Sequence, residues 1–184
     1  MRYVALLRGI NVGGKALVRM AELKTCFEQL GFDRVSTYIA SGNVLFETED
    51  GAAGLAATIE AAIEQRFELP VKVVVLDQMA YARIIDAIPK SWIGNAEVSA
   101  NAAFVRPGTD ASEVVRELNP NAAIEEVIAL DGAILWATRR DSINRSVVRK
   151  LIGGAAYKEL TIRNLNTTLK LSELLAAQGA ATPS

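Results

Sequence analysis

The chain has 184 residues, 51% of them hydrophobic, and a formal net charge of −1. That length and apolar content suit one domain, or two small subdomains sharing a core, and name neither an acidic nor a basic partner. With no histidine and a single cysteine, Ser-His and Cys-His catalysis, an internal disulfide and the commonest metal ligand are all excluded.

The first half reads clearly. YVALL (3–7) is a buried strand. In MAELKTCFEQLGF, Met20, Leu23, Phe27 and Leu30 share one helical face and Gly31 is the stop. Cys26 falls on that face, so the spacing predicts a buried, inert thiol. RVSTYIA and NVLFETE are strands joined at Ser41-Gly42, a hairpin signal. Residues 52–68 carry Leu55, Ile59, Ile63 and Phe67 at helical spacing, and VKVVVLD is a further buried strand. The order is strand, helix, strand, strand, helix, strand, the split βαβ pattern.

A second, topological copy follows. MAYARIIDAI is a connecting helix ending at Pro89, and KSWIGNAEVSA reads as a linker. AAFV (102–105) is a strand, TDASEVVREL a helix capped near Thr109 or Asp110, and AAIEEVIAL a strand. Asp131-Gly132 turns the chain into AILWATR. A helix is predicted around 143–152, then a strand, KELTIR, and a last helix from about Leu165 to Gln178 before a small-residue tail. The expected fold is α+β, two ferredoxin-like (βαββαβ) subdomains in tandem with a C-terminal helix. They cover 1–77 and 101–184, with 78–100 as connecting helix and linker. Trp92 and Trp136 are expected to pack in the core or linker. No apolar run approaches a membrane span, the N-terminus lacks a signal-peptide pattern, and the lone cysteine fits a reducing cytoplasm.

Charge is unevenly spread. Residues 1–24 carry a net of +4, residues 139–170 a net of +6, and the remainder −11. These basic segments either form one anion-attracting face or lie apart, merely solvated.

RGINVGGKA (8–16) has the glycine and lysine spacing of a phosphate-cradling P-loop, but Ala16 stands where a Mg²⁺-binding hydroxyl is required. VKVVVLD, ending in Asp77, imitates the second metal-binding strand. Topology counts against both. A P-loop needs a parallel sheet, whereas the Ser41-Gly42 hairpin makes an antiparallel pair, and Asp77 has a simpler use as a cap for helix 78–87.

With RGINVGGK, the SGN hairpin and a late RNLNT, the chain resembles the bacterial family catalogued as domain of unknown function 1697. Its members open with a strand running into RGINVGGK, continue with a helix and TYIxSGNVLF, and end with an RNWNT-like motif. The resemblance covers essentially the whole chain, implies two ferredoxin-like subdomains and brings no reaction. Leu165 replaces the motif's Trp, and Ala16 stands where many members have a polar residue.

The residues that point to chemistry are Arg8, Asn11, Gly13, Gly14 and Lys15 on the first loop, and Arg163, Asn164 and Asn166 where a strand enters the last helix. Glycines allow close approach of backbone N–H groups, and two cations beside them suit phosphate or carboxylate. Asn164 is a plausible N-cap, and helix N-termini attract anions. The plainer account is a structural loop in which Asn11 satisfies turn amides, plus simple capping at Asn164. Turn chemistry alone accounts for Ser41, Gly42 and Asn43. Ser142, Asn144, Arg145 and Ser146 are weaker candidates for the same surface. No ligand cluster suggests a metal, and no cofactor is implied.

The expected ligand is a phosphorylated small molecule or nucleic acid, with no membrane. Alternatives are an enzyme acting on a phosphorylated or carboxylate metabolite, with Lys15 and Arg8 as electrostatic stabilisers, and a structural module with no small-molecule ligand.

Overall fold

A computed structural model describes residues 1–11, 18–147, 151 and 154–177. Two compact units divide the chain. One holds residues 1–83 and 170–184, the other residues 84–169.

In the first unit, β1 (Arg2–Leu7), α1 (Met20–Gln29), β2 (Asp33–Tyr38), β3 (Asn43–Glu47), α2 (Leu55–Phe67) and β4 (Val73–Asp77) follow in order. The strands form an antiparallel sheet of order β2-β3-β1-β4. Tyr3 stands opposite Phe46 on one side and Asp77 on the other. Each β-α-β crossover therefore straddles one intervening strand, as the sequence pattern predicts. Alternation along β1 sends Tyr3, Ala5 and Leu7 into a core with Leu23 and Phe27 of α1 and Ile59 and Ile63 of α2. Phe46 stacks on Tyr3 and Phe32, with ring centroids 5.5 and 4.6 Å apart. Val4, Leu6, Leu45 and Val74, on the opposite face, are buried as well.

α3 (Gln78–Asp86) is capped by Asp77, whose Oδ1 accepts the Ala80 N–H at 2.7 Å. The Asp after the hydrophobic strand thus serves the helix, and the sheet beside the glycine-rich loop is antiparallel throughout, not the parallel sheet a P-loop requires.

The second unit holds β5 (Val98–Val105), α4 (Ala111–Leu118), β6 (Glu125–Leu130), β7 (Ala133–Arg139) and β8 (Leu160–Asn164), in the order β6-β7-β5-β8. Ala103, Val105, Ile134, Trp136 and Leu160 pack with Val114 of α4. Asp110 caps α4, accepting from the Ser112 and Glu113 N–H groups. β5 starts at Val98, four residues before the apolar AAFV run, because its first half is pinned to β7 by register rather than by hydrophobicity. Of the helix predicted around 143–152, the described residues show a 3₁₀ segment at Arg140–Arg145 and a helical Leu151, whose N–H bonds to the Val147 carbonyl at 3.1 Å, while 148–150 and 152 lie outside the described residues; a second 3₁₀ segment spans Ala155–Glu159. α5 (Leu165–Ala177) closes the described chain, and its residues from Lys170 onward belong to the first unit. Both tryptophans are buried, as expected.

Candidate functional site

The glycine-rich loop begins where β1 ends. The Arg8 N–H bonds to the Lys72 carbonyl at 2.8 Å. Asn11 sits at φ 56° and works as a staple. Its Nδ2 donates to the Val18 and Ala40 carbonyls at 3.0 and 2.9 Å, while its Oδ1 accepts the Val18 N–H at 2.7 Å. That is the turn-satisfying use anticipated for an Asn in this position. Gly13, Gly14 and Lys15 lie outside the described residues. In the adjoining hairpin, Asn43 is fully buried and donates to the Tyr38 carbonyl and the Ser41 hydroxyl. Gly42 has φ 77°, and a Cβ there would lie 2.8 Å from Ile10 and Leu7. Turn geometry explains this SGN, as the sequence suggests.

The second unit contains a cleft of about 380 Å³. β5 supplies Ser99 and Asn101, the 3₁₀ segment supplies Arg140, and the start of α5 supplies Asn164, Leu165 and Asn166. Among the described residues its lining includes no carboxylate. Asn164 Oδ1 accepts the Thr167 N–H at 2.8 Å, so Asn164 is the N-cap of α5. The first two N–H groups of that helix have no intrahelical acceptor. Asn164 and Asn166 are exposed, whereas Arg163 is buried and spends an Nη1 donor on the Ile162 carbonyl at 2.9 Å. The late motif is therefore split. Its asparagines reach the cleft lining and its arginine does not.

Arg140 was not singled out by its sequence neighbourhood. Its backbone N–H bonds to the Glu97 carbonyl and its Nε to the Ala96 carbonyl, both at 2.8 Å. This fixes the guanidinium and leaves its Nη donors for other partners. Neighbouring cations are engaged elsewhere. Arg139 pairs with Asp141, and Arg145 donates to the Ser142 hydroxyl, which donates to Asp141. The Ser142 hydroxyl and Arg139 hold the Asp141 carboxyl below its ordinary value.

The segment carrying Arg140 is tied down by a buried carboxylate. Glu125 accepts from the Ser146 hydroxyl at 2.6 Å, the Asn121 N–H at 3.1 Å and the Val147 N–H at 3.3 Å. Thr138, at the other end of the segment, lies 3.5 Å from the same carboxylate. No sequence signal marks Glu125, because one buried glutamate in EEVIAL looks like the exposed one beside it.

Residues 1–136 match the family described as "Protein of unknown function (DUF1697)". The chain belongs to that family. No curated protein matches it. Among solved structures it is similar to the conserved bacterial protein SP0830 from Streptococcus pneumoniae, at 28% identity and a TM-score of 0.84. That likeness covers 95% of this chain and 98% of the other. Protein BT0572 from Bacteroides thetaiotaomicron aligns over 92% of this chain and 95% of its own, but at 10% identity and a TM-score of 0.24. Such a score carries no structural argument. The match to this DUF1697 family ends before the RNLNT segment, whereas the streptococcal likeness extends over nearly the whole chain. No described helix is long and apolar enough to cross a membrane. Among the described residues no cluster of acidic or cysteine side chains is suited to hold a metal.

Proposed function

We propose that this protein binds an anionic ligand, phosphorylated or carboxylate, in the cleft between β5, Arg140 and the start of α5. The observation that carries the reading is a guanidinium anchored through Nε, beside a capped helix N-terminus, in a lining with no carboxylate among the described residues. Oriented N–H donors and a fixed guanidinium favour oxyanions, and the volume suits a small ligand. The RGINVGGK loop, with Arg8, Asn11, Gly13, Gly14 and Lys15, is the second proposed anion contact, supported by its composition. A titratable base suited to neutral pH is not supplied by this lining, so binding is a better description than acid-base catalysis.

The test is a thermal-shift panel of phosphate, mononucleotides, short RNA and simple carboxylates on the wild type, Arg140→Ala and Lys15→Ala. A ligand at a hundred times its dissociation constant stabilises by about 2.7 kcal/mol. A shift lost in Arg140→Ala assigns the cleft, and one lost only in Lys15→Ala assigns the loop. A panel with no shift at all overturns the reading.

A further inference from the structure

β5 changes character along one face. Ala103 and Val105 pack into the core with Val114 of α4, so by alternation Ser99 and Asn101 share that face. There the apolar pattern stops, and both residues line the cleft half-buried. Asn101 stands opposite Asn164 of β8. Val105 N–H bonds to the Gly132 carbonyl, which turns the main chain of the odd-numbered positions toward β7. Asn101 and Asn164 are therefore a non-hydrogen-bonded pair, the kind that brings side chains closest, with Cα atoms about 4.5 Å apart. Asn166 follows in the first turn of α5. Three carboxamides and a hydroxyl thus gather in the cleft where Arg140 is held.

These groups are available to a ligand. Asn164 spends its Oδ1 on the Thr167 N–H and keeps its Nδ2. The Ser99, Asn101 and Asn166 side chains have no hydrogen-bond partner among the described residues. A carboxamide both donates and accepts, as does a serine hydroxyl, and neither carries charge. Such groups match the hydroxyls of a ligand, which also do both. Phosphate oxygens only accept, so they leave the carboxamide oxygens unused. Aromatic surface is withheld. Trp92, in the lining, is 5% exposed with its Nε1 on Glu126 at 3.0 Å, and Trp136, opposite Asn101, is 3% exposed. Neither offers a ring face on which a nucleobase could stack.

We infer that the cleft takes a polyhydroxylated anion, a sugar phosphate or sugar acid, whose oxyanion meets Arg140 and whose hydroxyls are read by Asn101, Asn164 and Asn166. This rests on the anion-site reading and names the ligand class for it.

The experiment is an NMR titration of the full chain, following backbone and side-chain amides, with six probes. They are ribose 5-phosphate, pentyl phosphate, adenosine monophosphate, ribonate, pentanoate and ribose. Ribose 5-phosphate or ribonate should move Asn101 and Arg140 and bind about tenfold or more tighter than its hydroxyl-free counterpart, through two or more added hydrogen bonds. Which of the two does so says whether the oxyanion is phosphate or carboxylate. Asn101→Ala should erase most of that advantage. The hydroxyl-free comparison alters only the ligand, so it does not depend on a variant folding. If each pair binds equally, or adenosine monophosphate binds tighter than ribose 5-phosphate, the inference is overturned while the anion site stands. Ribose binding as tightly as its phosphate, or silence at Arg140 and Asn166 with every probe, overturns both readings.

Discussion

Ile39 shows how much a single position can be held out of its preferred geometry. It is β-branched, 48% exposed and sits at φ 49°, in the left-handed region such residues avoid. Ile39→Asn should raise stability by about 1 kcal/mol in a urea titration, because Asn tolerates that region and little burial is lost. Gly42→Ala should do the reverse. Strained backbone and a Cβ pressed against Ile10 and Leu7 together cost about 2–4 kcal/mol. Glu125→Ala would strand the Asn121 and Val147 N–H groups and cost about 3 kcal/mol. Cys26 offers a readout of burial. Desolvation raises its thiol above the ordinary value, so folding favours the protonated form. That contribution is whole below the unfolded-state value and fades as pH rises through the folded-state one. A thiol reagent at pH 8 should label Cys26 slowly in the native protein and rapidly in denaturant.

At the scale of elements, the amphipathic pieces were legible and the pieces that make the cleft were not. MAELKTCFEQLGF, the SGN hairpin and the Asp131-Gly132 turn each carry a local signal, and each lies where that signal places it. Val98–Asn101 carries none, since small and polar residues earn strand geometry here only by pairing with Arg139–Trp136. Arg140 is brought to Asn164 by sheet register across β7, β5 and β8, which no local pattern encodes. The helix expected at 143–152 starts later than its sequence pattern suggests: its described residues up to Arg145 are 3₁₀, Glu125 then captures the Ser146 hydroxyl and the Val147 N–H, and Leu151 is helical. Caps, by contrast, were readable. Asp110→Ala should destabilise by about 1 kcal/mol, measurable by chemical denaturation, while Asp77→Asn, which keeps an acceptor for Ala80, should change stability by less than about 0.5 kcal/mol.

For the whole molecule, the notable fact is that one helix serves both units. α5 begins in the second, and its residues from Lys170 onward count with the first. Leu171 and Leu175 are essentially fully buried, and the Leu175 carbonyl accepts from Arg2 at 3.5 Å. The first unit is not a contiguous stretch, since the second is inserted between its two pieces. Deleting residues 170–184 should therefore cost more than about 4 kcal/mol, from two buried leucines alone, and show as loss of a cooperative melt.

The Asn11 staple has a consequence for how this family can vary. One side chain ties position 11 directly to position 18, two residues before α1, across the six residues between them. That stretch runs between two fixed ends. Exchanging it for another sequence of equal length should leave the melting midpoint nearly unchanged, whereas Asn11→Ala should lower it. The clasp between positions 11 and 18 is thus the part of this loop on which the fold itself depends.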